Sequence, residues 1–366
     1  MKILISVNHP AHVHLFKNLI WKMEKNGHHF LIVARDKDKT IDLLDKYGFQ
    51  YILTGQAETT PLGYIREMLE RTKIFFSVIG DYKPDIVLTQ MDPSPAIAAK
   101  LRGVPYLCLA DSEPAKLILQ STMPFTQAVL TPSCFRTNLG KKQIYYSGYK
   151  ELAYLHPNTF QPDASVLNEL GVGIDDPYIV LRFVSWGAHH DIGEQGIQNK
   201  IEIVKQLEPY GRVFISSESK LGKDLEKYEL KVSPEKMHHV LYYARLLFCD
   251  SQTMATEAGV LGTPAIRCNS FVGADDMGNF IELENKYHLI YNFSAEKEAL
   301  NSAVALLKTP DLKQEWAKRQ NILLIDKIDV TAFMIWFIEN YPRSFTEIKE
   351  RPEVQYSCAS VPGDAS

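Results

Sequence analysis

Three histidines fall within six residues in Asn8-His9-Pro10-Ala11-His12-Val13-His14. Imidazole titrates near neutrality, so a ring held at a turn can take a proton from a hydroxyl. His9 and His12 are the candidates for such a base, and His14 reads as the start of a helix. For any single ring, N-capping or packing is the ordinary alternative. Two carboxylate-bearing turns follow, Gln90-Met91-Asp92-Pro93-Ser94 and Asp111-Ser112-Glu113. Carboxylates at neighbouring strand ends can orient a hydroxyl or act as acid and base. Here too the competing role is helix capping, since Asp92 precedes Pro93 and Glu113 precedes Pro114.

The second half of the chain carries two more such turns. Phe183 to Asp191 joins small residues to an aromatic, so Trp186, Gly187 and His189 suit contact with a base or a sugar. His189-His190-Asp191 suggests a metal, but adjacent residues rarely ligate one ion and no third partner is evident, so no metal is expected. The most specific segment runs from Cys249 to Arg267. An apolar strand feeds Asp250-Ser251-Gln252-Thr253, and a helix begins there. Free amides and the positive end of a helix dipole make a phosphate site, to which Ser251 and Thr253 add hydroxyls. Met254 follows in the same turn. Glu257 shares a face with Thr253 and can accept ribose hydroxyls. The plainer alternative is an N-capped helix with an exposed Glu257.

These turns need elements to position them. Lys2–Val7, Phe30–Ala34, Tyr51–Leu53, Ile86–Thr89 and Tyr106–Ala110 read as buried strands, with a sixth at Gln143–Tyr146. Helical patterns lie between them at His14–Lys25, Lys37–Tyr47, Leu62–Ile79 and Pro95–Leu101, and Gly27, Gly48 and Gly103 close three of these. The pattern lapses over Lys150 to Pro162, where prolines mark a linker. It restarts with strands at Tyr178–Arg182, Arg212–Ser216, Leu246–Cys249 and Pro264–Arg267 and helices at Ile197–Leu207, Pro234–Ala244 and Thr253–Leu261. Ala295 to Asn340 is largely helical, and Glu353 to Ser366 reads as a frayed tail. Strand–helix alternation predicts two α/β, doubly wound parallel sheets, in which ligands bind at the carboxyl ends of strands.

Composition narrows the partners. The 366 residues suit two domains. Lys plus Arg is 40 and Asp plus Glu is 44, a net charge of -4, which argues against a general nucleic-acid binder. Five cysteines without a CxxC support neither a disulfide scaffold nor a zinc site. The apolar run at the N-terminus is too short for a signal peptide, and no segment reaches the roughly 18 uncharged apolar residues of a membrane span. The expected location is cytoplasmic, with peripheral membrane contact left open.

The Asp250-Ser251-Gln252-Thr253 and Glu257-Ala258 pattern resembles the diphosphate and ribose segment of two kinds of enzyme. One is the bacterial UDP-N-acetylglucosamine 2-epimerases, and the other is the peptidoglycan glycosyltransferase that makes lipid II. His238-His239-Val240 with Tyr243-Ala244 is similar to the helix just upstream in the same group. Over residues 1–340 the chain is most similar to the prokaryotic domain-of-unknown-function 354 family, through His9-Pro10-Ala11-His12-Val13, Asp250-Ser251 and Glu257. The resemblance implies a GT-B architecture: two facing Rossmann-like domains with an interdomain cleft, the nucleotide held by the second. The divisions expected are an acceptor-side domain at 1–150, a linker at 151–162, a nucleotide-binding domain with terminal helices at 163–340 and a polar tail at 341–366. Gln90-Met91-Asp92 stands where the epimerases have Gly-Asp-Thr, so Asp92 matches their functional aspartate. Their Glu-Ala-Gly is displaced here to Asp111-Ser112-Glu113, and their His-Arg-Arg-Glu loop is absent.

The function these features imply is an inverting, metal-independent glycosyltransferase using a nucleotide-diphosphate sugar, with UDP the favoured nucleotide, in glycan or cell-envelope polysaccharide synthesis. His12 or His9 would be the base, with Asp92, Asp111 and Glu113 as the other catalytic candidates. Ser251, Gln252, Thr253, Met254, Glu257, Trp186, Gly187 and His189 would bind the donor. No cofactor is implied, and the acceptor, a membrane-associated glycan or lipid among the options, is not identified. The alternatives are a 2-epimerase or nucleotide-sugar hydrolase, and a nucleotide-sugar-binding protein without turnover.

Overall fold

A computed structural model describes residues 1–56, 60–184 and 196–358. The chain divides into two compact units, residues 1–159 with Lys327–Ser366, and Phe160–Asp326.

In the first unit strands and helices alternate: β1 (Lys2–Val7), α1 (Pro10–Lys25), β2 (His29–Asp36), α2 (Thr40–Lys46), β3 (Tyr51–Gln56), α3 (Pro61–Tyr82), β4 (Ile86–Gln90), α4 (Pro93–Arg102), β5 (Tyr106–Leu109), α5 (Lys116–Thr122), β6 (Ala128–Pro132), β7 (Gln143–Tyr146) and α6 (Leu152–Leu155). The sheet order is β3-β2-β1-β4-β5-β6-β7, parallel throughout. The chain winds outward one way from β1 and then the other way from β4. The carboxyl ends of β1 and β4 therefore flank a switch point, where such sheets bind ligands. The β1 run Ile3, Leu4, Ile5 and Val7 is buried as in a strand covered on both faces. Val13, Phe16, Leu19, Ile20 and Met23 recur at helical spacing and seal α1 onto the sheet. Each such side chain contributes roughly 1.5–3 kcal/mol of burial. Gly103 ends α4 at φ 69°, a left-handed conformation costly for other residues.

The second unit holds α7 (Ser165–Leu170), β8 (Tyr178–Phe183), α8 (Lys200–Leu207), β9 (Arg212–Ser217), α9 (Met237–Tyr243), β10 (Leu246–Cys249), α10 (Gln252–Val260), β11 (Ala265–Cys268), α11 (Gly278–Asn285), β12 (Ile290–Phe293), α12 (Glu296–Leu307) and α13 (Leu312–Asp326). Its parallel sheet runs β12-β11-β10-β8-β9, with the switch between β10 and β8.

The chain then returns to the first unit through α14 (Val330–Glu339), α15 (Arg343–Glu350) and α16 (Val354–Cys358). This corrects the division read from the sequence, which gave residues up to 340 to the second domain. The Ile328 amide donates to Ser147 O at 2.8 Å, and Thr331 Oγ1 donates to Ala153 O at 2.6 Å, an oxygen that also accepts Asn18 Nδ2 at 3.0 Å. One carbonyl of α6 thus ties α1 to α14. The two units part between Thr159 and Phe160, inside the expected linker, whose first residues Leu152, Ala153, Tyr154 and Leu155 form α6 and are all buried. The expected polar tail holds α15 and α16, and Gln355 Oε1 accepts the Ser147 amide at 2.6 Å. Strands β6 and β12 were not anticipated.

Candidate functional site

Each unit gathers its polar residues at its own switch point. In the first, α1 begins earlier than the sequence suggested. His9 is its N-cap, with Nδ1 accepting the Ala11 amide at 3.2 Å, and Pro10 opens the first turn. His12 lies in that turn, and its Nδ1 accepts the Asn8 amide at 3.3 Å. The residue as a whole is partly exposed. Burial first, then the charges of Lys150, Lys37 and Arg71, hold its pKa down to about 3. His9 Nε2 stands 3.9 Å from Asp38 Oδ2 at the surface. His14 belongs to the packing. It is buried, with Nδ1 3.3 Å from the Tyr47 hydroxyl and its ring 5.4 Å from that of Tyr154.

Asp92 is a buried hub with a side chain 1% exposed. It caps α4 by accepting the Ser94 amide at 3.2 Å, and it accepts Ser6 Oγ at 3.0 Å and Asn8 Nδ2 at 2.7 Å. The Arg71 guanidinium grips both carboxylate oxygens at 2.6 and 3.3 Å, and it also donates to Asn8 Oδ1 at 2.8 Å. Asp92 makes no direct bond to His12; Asn8 joins them, its side chain on Asp92 and its amide on the ring. Asp111 lies apart from this hub at the end of β5. It accepts Lys150 Nζ at 2.5 Å and also Gln90 Nε2. Lys150 connects the two groups, since it acts on His12 electrostatically while pairing with Asp111. Glu113 is used elsewhere, accepting the Arg136 amide at 3.1 Å.

Arg71 and Lys150 were missed. Lys150 sits where the sequence reads as linker. Arg71 had a signal that went unused: Glu67, Arg71, Phe75 and Ile79 follow at intervals of four, and all are buried. Two charges therefore continue an apolar stripe of α3, and each must be paired. Glu67 takes Arg35 at 2.6 Å and Arg71 takes Asp92.

In the second unit β10 is followed by Asp250, whose carboxylate is buried. It is 2% exposed, accepting the Val184 amide at 2.9 Å and the Ile197 amide at 3.2 Å. Trp186, Gly187 and His189 lie outside the described residues. Ser251 caps α10, its Oγ accepting the Met254 amide at 3.3 Å. Among the described residues the Gln252 and Thr253 amides make no hydrogen bond, and Ser251, Gln252 and Thr253 are partly exposed whereas Met254 is buried. Free first-turn amides on a capped helix favour an anion. Glu257 is buried, against the plain expectation of an exposed side chain. Its Oε1 is 3.0 Å from Nε2 of the buried His238 on α9. His238 is thus a further member of this group. On β11, Arg267 is fully buried, paired with Asp276 and lying 3.5 Å over the Phe280 ring. Asp276, itself buried, thereby anchors the Phe271–Asn279 segment. Among the described residues no group of three or more His, Cys, Asp or Glu side chains is placed to hold a metal ion, and no helix is long and apolar enough to cross a membrane.

Two parallel-sheet units with these strand orders, each with its polar turns at a switch point, form the GT-B fold. The chain belongs to the family described as "Protein of unknown function (DUF354)", which matches residues 1–340. It is 24% identical over 282 residues to the uncharacterized protein MJ0665 of Methanocaldococcus jannaschii, covering 73% of this chain and 82% of that one. Among solved structures it resembles the UDP-GlcNAc 2-epimerase of Neisseria meningitidis bound to UDP-GlcNAc, with a TM-score of 0.60, 15% identity, and 89% and 99% of the two chains covered. It also resembles the glycosyltransferase SsfS6 of Streptomyces sp. SF2575 complexed with thymidine diphosphate, with a TM-score of 0.59, 12% identity, and 93% and 99% covered.

The depressed pKa of His12 has a measurable consequence. Between pH 6.5 and about 3 the unfolded chain protonates this ring while the folded chain does not. Its contribution to stability is complete above pH 6.5 and is lost progressively as pH falls toward 3. His12→Gln should therefore flatten the acid side of the stability curve. Melting temperatures of the two proteins from pH 7 down to about 4.5 should show the smaller fall in the variant; parallel curves would contradict the shift.

Proposed function

We propose that the protein is an inverting, metal-independent glycosyltransferase acting on a nucleotide-diphosphate sugar, with UDP as the nucleotide, in glycan or cell-envelope polysaccharide synthesis. The observation that carries this reading is the start of α10. A serine-capped helix with two unbonded amides sits at the switch point of a parallel sheet, with a buried carboxylate one turn on. The Gln252 and Thr253 amides and the Ser251 and Thr253 hydroxyls would hold the diphosphate. Glu257, oriented by His238, would accept a ribose hydroxyl. Structural neighbours described as bound to UDP-GlcNAc and to thymidine diphosphate support the ligand class.

In the reaction the acceptor oxygen forms a bond to the anomeric carbon, the bond from that carbon to the diphosphate breaks, and its electron pair leaves with the diphosphate. Preorganised amides aimed at that developing charge are worth roughly 2.7–4 kcal/mol for one donor. The hydroxyl proton goes to Asp111. Asp111 has one partner on each oxygen, Gln90 and Lys150, and so keeps a lone pair for the proton. Asp92, by contrast, accepts five bonds from Ser6, Asn8, Arg71 and Ser94, and His9 and His12 each spend Nδ1 on a backbone amide. The same saturation of Asp92 weighs against the epimerase reading, which needs that carboxylate to exchange protons.

A thermal-shift and calorimetry panel of nucleoside diphosphates and nucleotide sugars tests the ligand class. UDP should bind, and Glu257→Gln should weaken it by about tenfold or more, as loss of a charge-assisted hydrogen bond does. No nucleotide binding would end the proposal. Donor consumed only with acceptor supports transfer. Donor consumed alone points to epimerisation or hydrolysis, and binding without turnover points to a binding protein.

A further inference from the structure

The reaction outlined above leaves His12 without a proton to take, yet its ring stands at the switch point of the first unit. The Asn8 amide donates to Nδ1 at 3.3 Å, so that lone pair is spent and a neutral ring carries its proton on Nε2. The amide is not free to turn away. Asn8 is held through its side chain by Asp92 at 2.7 Å and by Arg71 at 2.8 Å, themselves a buried pair. Nε2 makes no hydrogen bond among the described residues, and the residue as a whole is partly exposed. The charged and titratable groups around it are Lys37, 4.0 Å from Asp38; Arg71, on Asp92; Lys150, on Asp111; and His9, its ring centroid 6.1 Å away. Burial first, and then these three cations, oppose a positive charge on the ring, which leaves it neutral.

We propose that His12 is a hydrogen-bond donor to the substrate, giving its Nε2–H to an oxygen atom bound at the end of β1, and that it takes up no proton in the reaction. A neutral donor suits a hydroxyl that is about to lose its proton. It withdraws electron density from the oxygen, and so acidifies the group, while leaving the proton itself to Asp111. An imidazole acting as base would need a bare Nε2. That requires the proton on Nδ1, where it would meet the Asn8 N–H head on.

The inference rests on the glycosyltransferase reading for the identity of the oxygen, but its first test does not. In the full chain labelled with nitrogen-15, long-range proton–nitrogen spectra report the tautomer of each histidine, and His12 is assigned by the signal lost in His12→Gln. The expected result is an Nε2-protonated ring that does not titrate between about pH 5 and 8. An Nδ1-protonated ring, or a midpoint near 6.5, would overturn the proposal. The second test is turnover of whichever nucleotide sugar the panel identifies. Glutamine can donate from nearly the same place, so His12→Gln should keep roughly a tenth of the rate while His12→Ala loses about a hundredfold, both binding UDP as before. Equal loss in the two variants would mean that the ring acts as base. Failure of the panel itself would leave the spectral result standing on its own.

Discussion

Arg71→Ala is expected to destabilise the protein by about 3–5 kcal/mol, the usual cost of removing one partner from a buried ion pair. The reason lies in what stays behind. Asp92 would keep its charge in a site where its side chain is 1% exposed, with only Ser6, Asn8 and the Ser94 amide to hold it. Asn8 would lose a donor as well, loosening the turn that carries His12. Calorimetric unfolding of the wild type, Arg71→Ala and the double variant Arg71→Leu with Asp92→Asn measures this. The double variant buries no lone charge, so it should lose less than the single one. A loss below about 1 kcal/mol for Arg71→Ala would mean that the pair does not hold this turn.

The second large effect is on turnover. Asp111→Asn should lower kcat by about 10²–10⁴-fold, the range assigned to a positioned acid or base. Its affinity for the nucleotide should not change, because the nucleotide site is assigned to residues of the second unit. Asparagine keeps an oxygen for Gln90 and leaves Lys150 paired with Glu151, 3.9 Å away, so the local frame should persist. Steady-state kinetics with calorimetric binding separates the two quantities. A rate within a few-fold of the wild type would move the base away from Asp111.

Much of this fold was legible because its signals are local. Lys2–Val7, Gln143–Tyr146 and Leu246–Cys249 are apolar runs of strand length bounded by turn residues, and the strands match them end to end. Ala128–Pro132 was hidden. Its five residues end in proline, and the short helix before it carries no clear apolar period. The return of residues from Lys327 onward had no local signal at all, since Phe333 packs on Tyr146 nearly two hundred positions earlier. At the site, the sequence located the turns but not the use of each atom. That His12 and His9 turn Nδ1 toward backbone amides, or that Asp250 accepts the Val184 and Ile197 amides, depends on side-chain torsions. Arg71 stood between these cases, its burial written in the spacing of α3 but its partner written elsewhere.

The return of the last helices to the first unit also sets an order of events during synthesis. Residues 160–326 are continuous, so everything this unit needs is synthesised before Lys327. Residues of the first unit made before it must wait, since Ser147, Ala153 and Tyr146 meet their partners Gln355, Thr331 and Phe333 only after the whole second unit has been made. Domains in general fold as units, the N-terminal first; here the half that is made first is the half completed last.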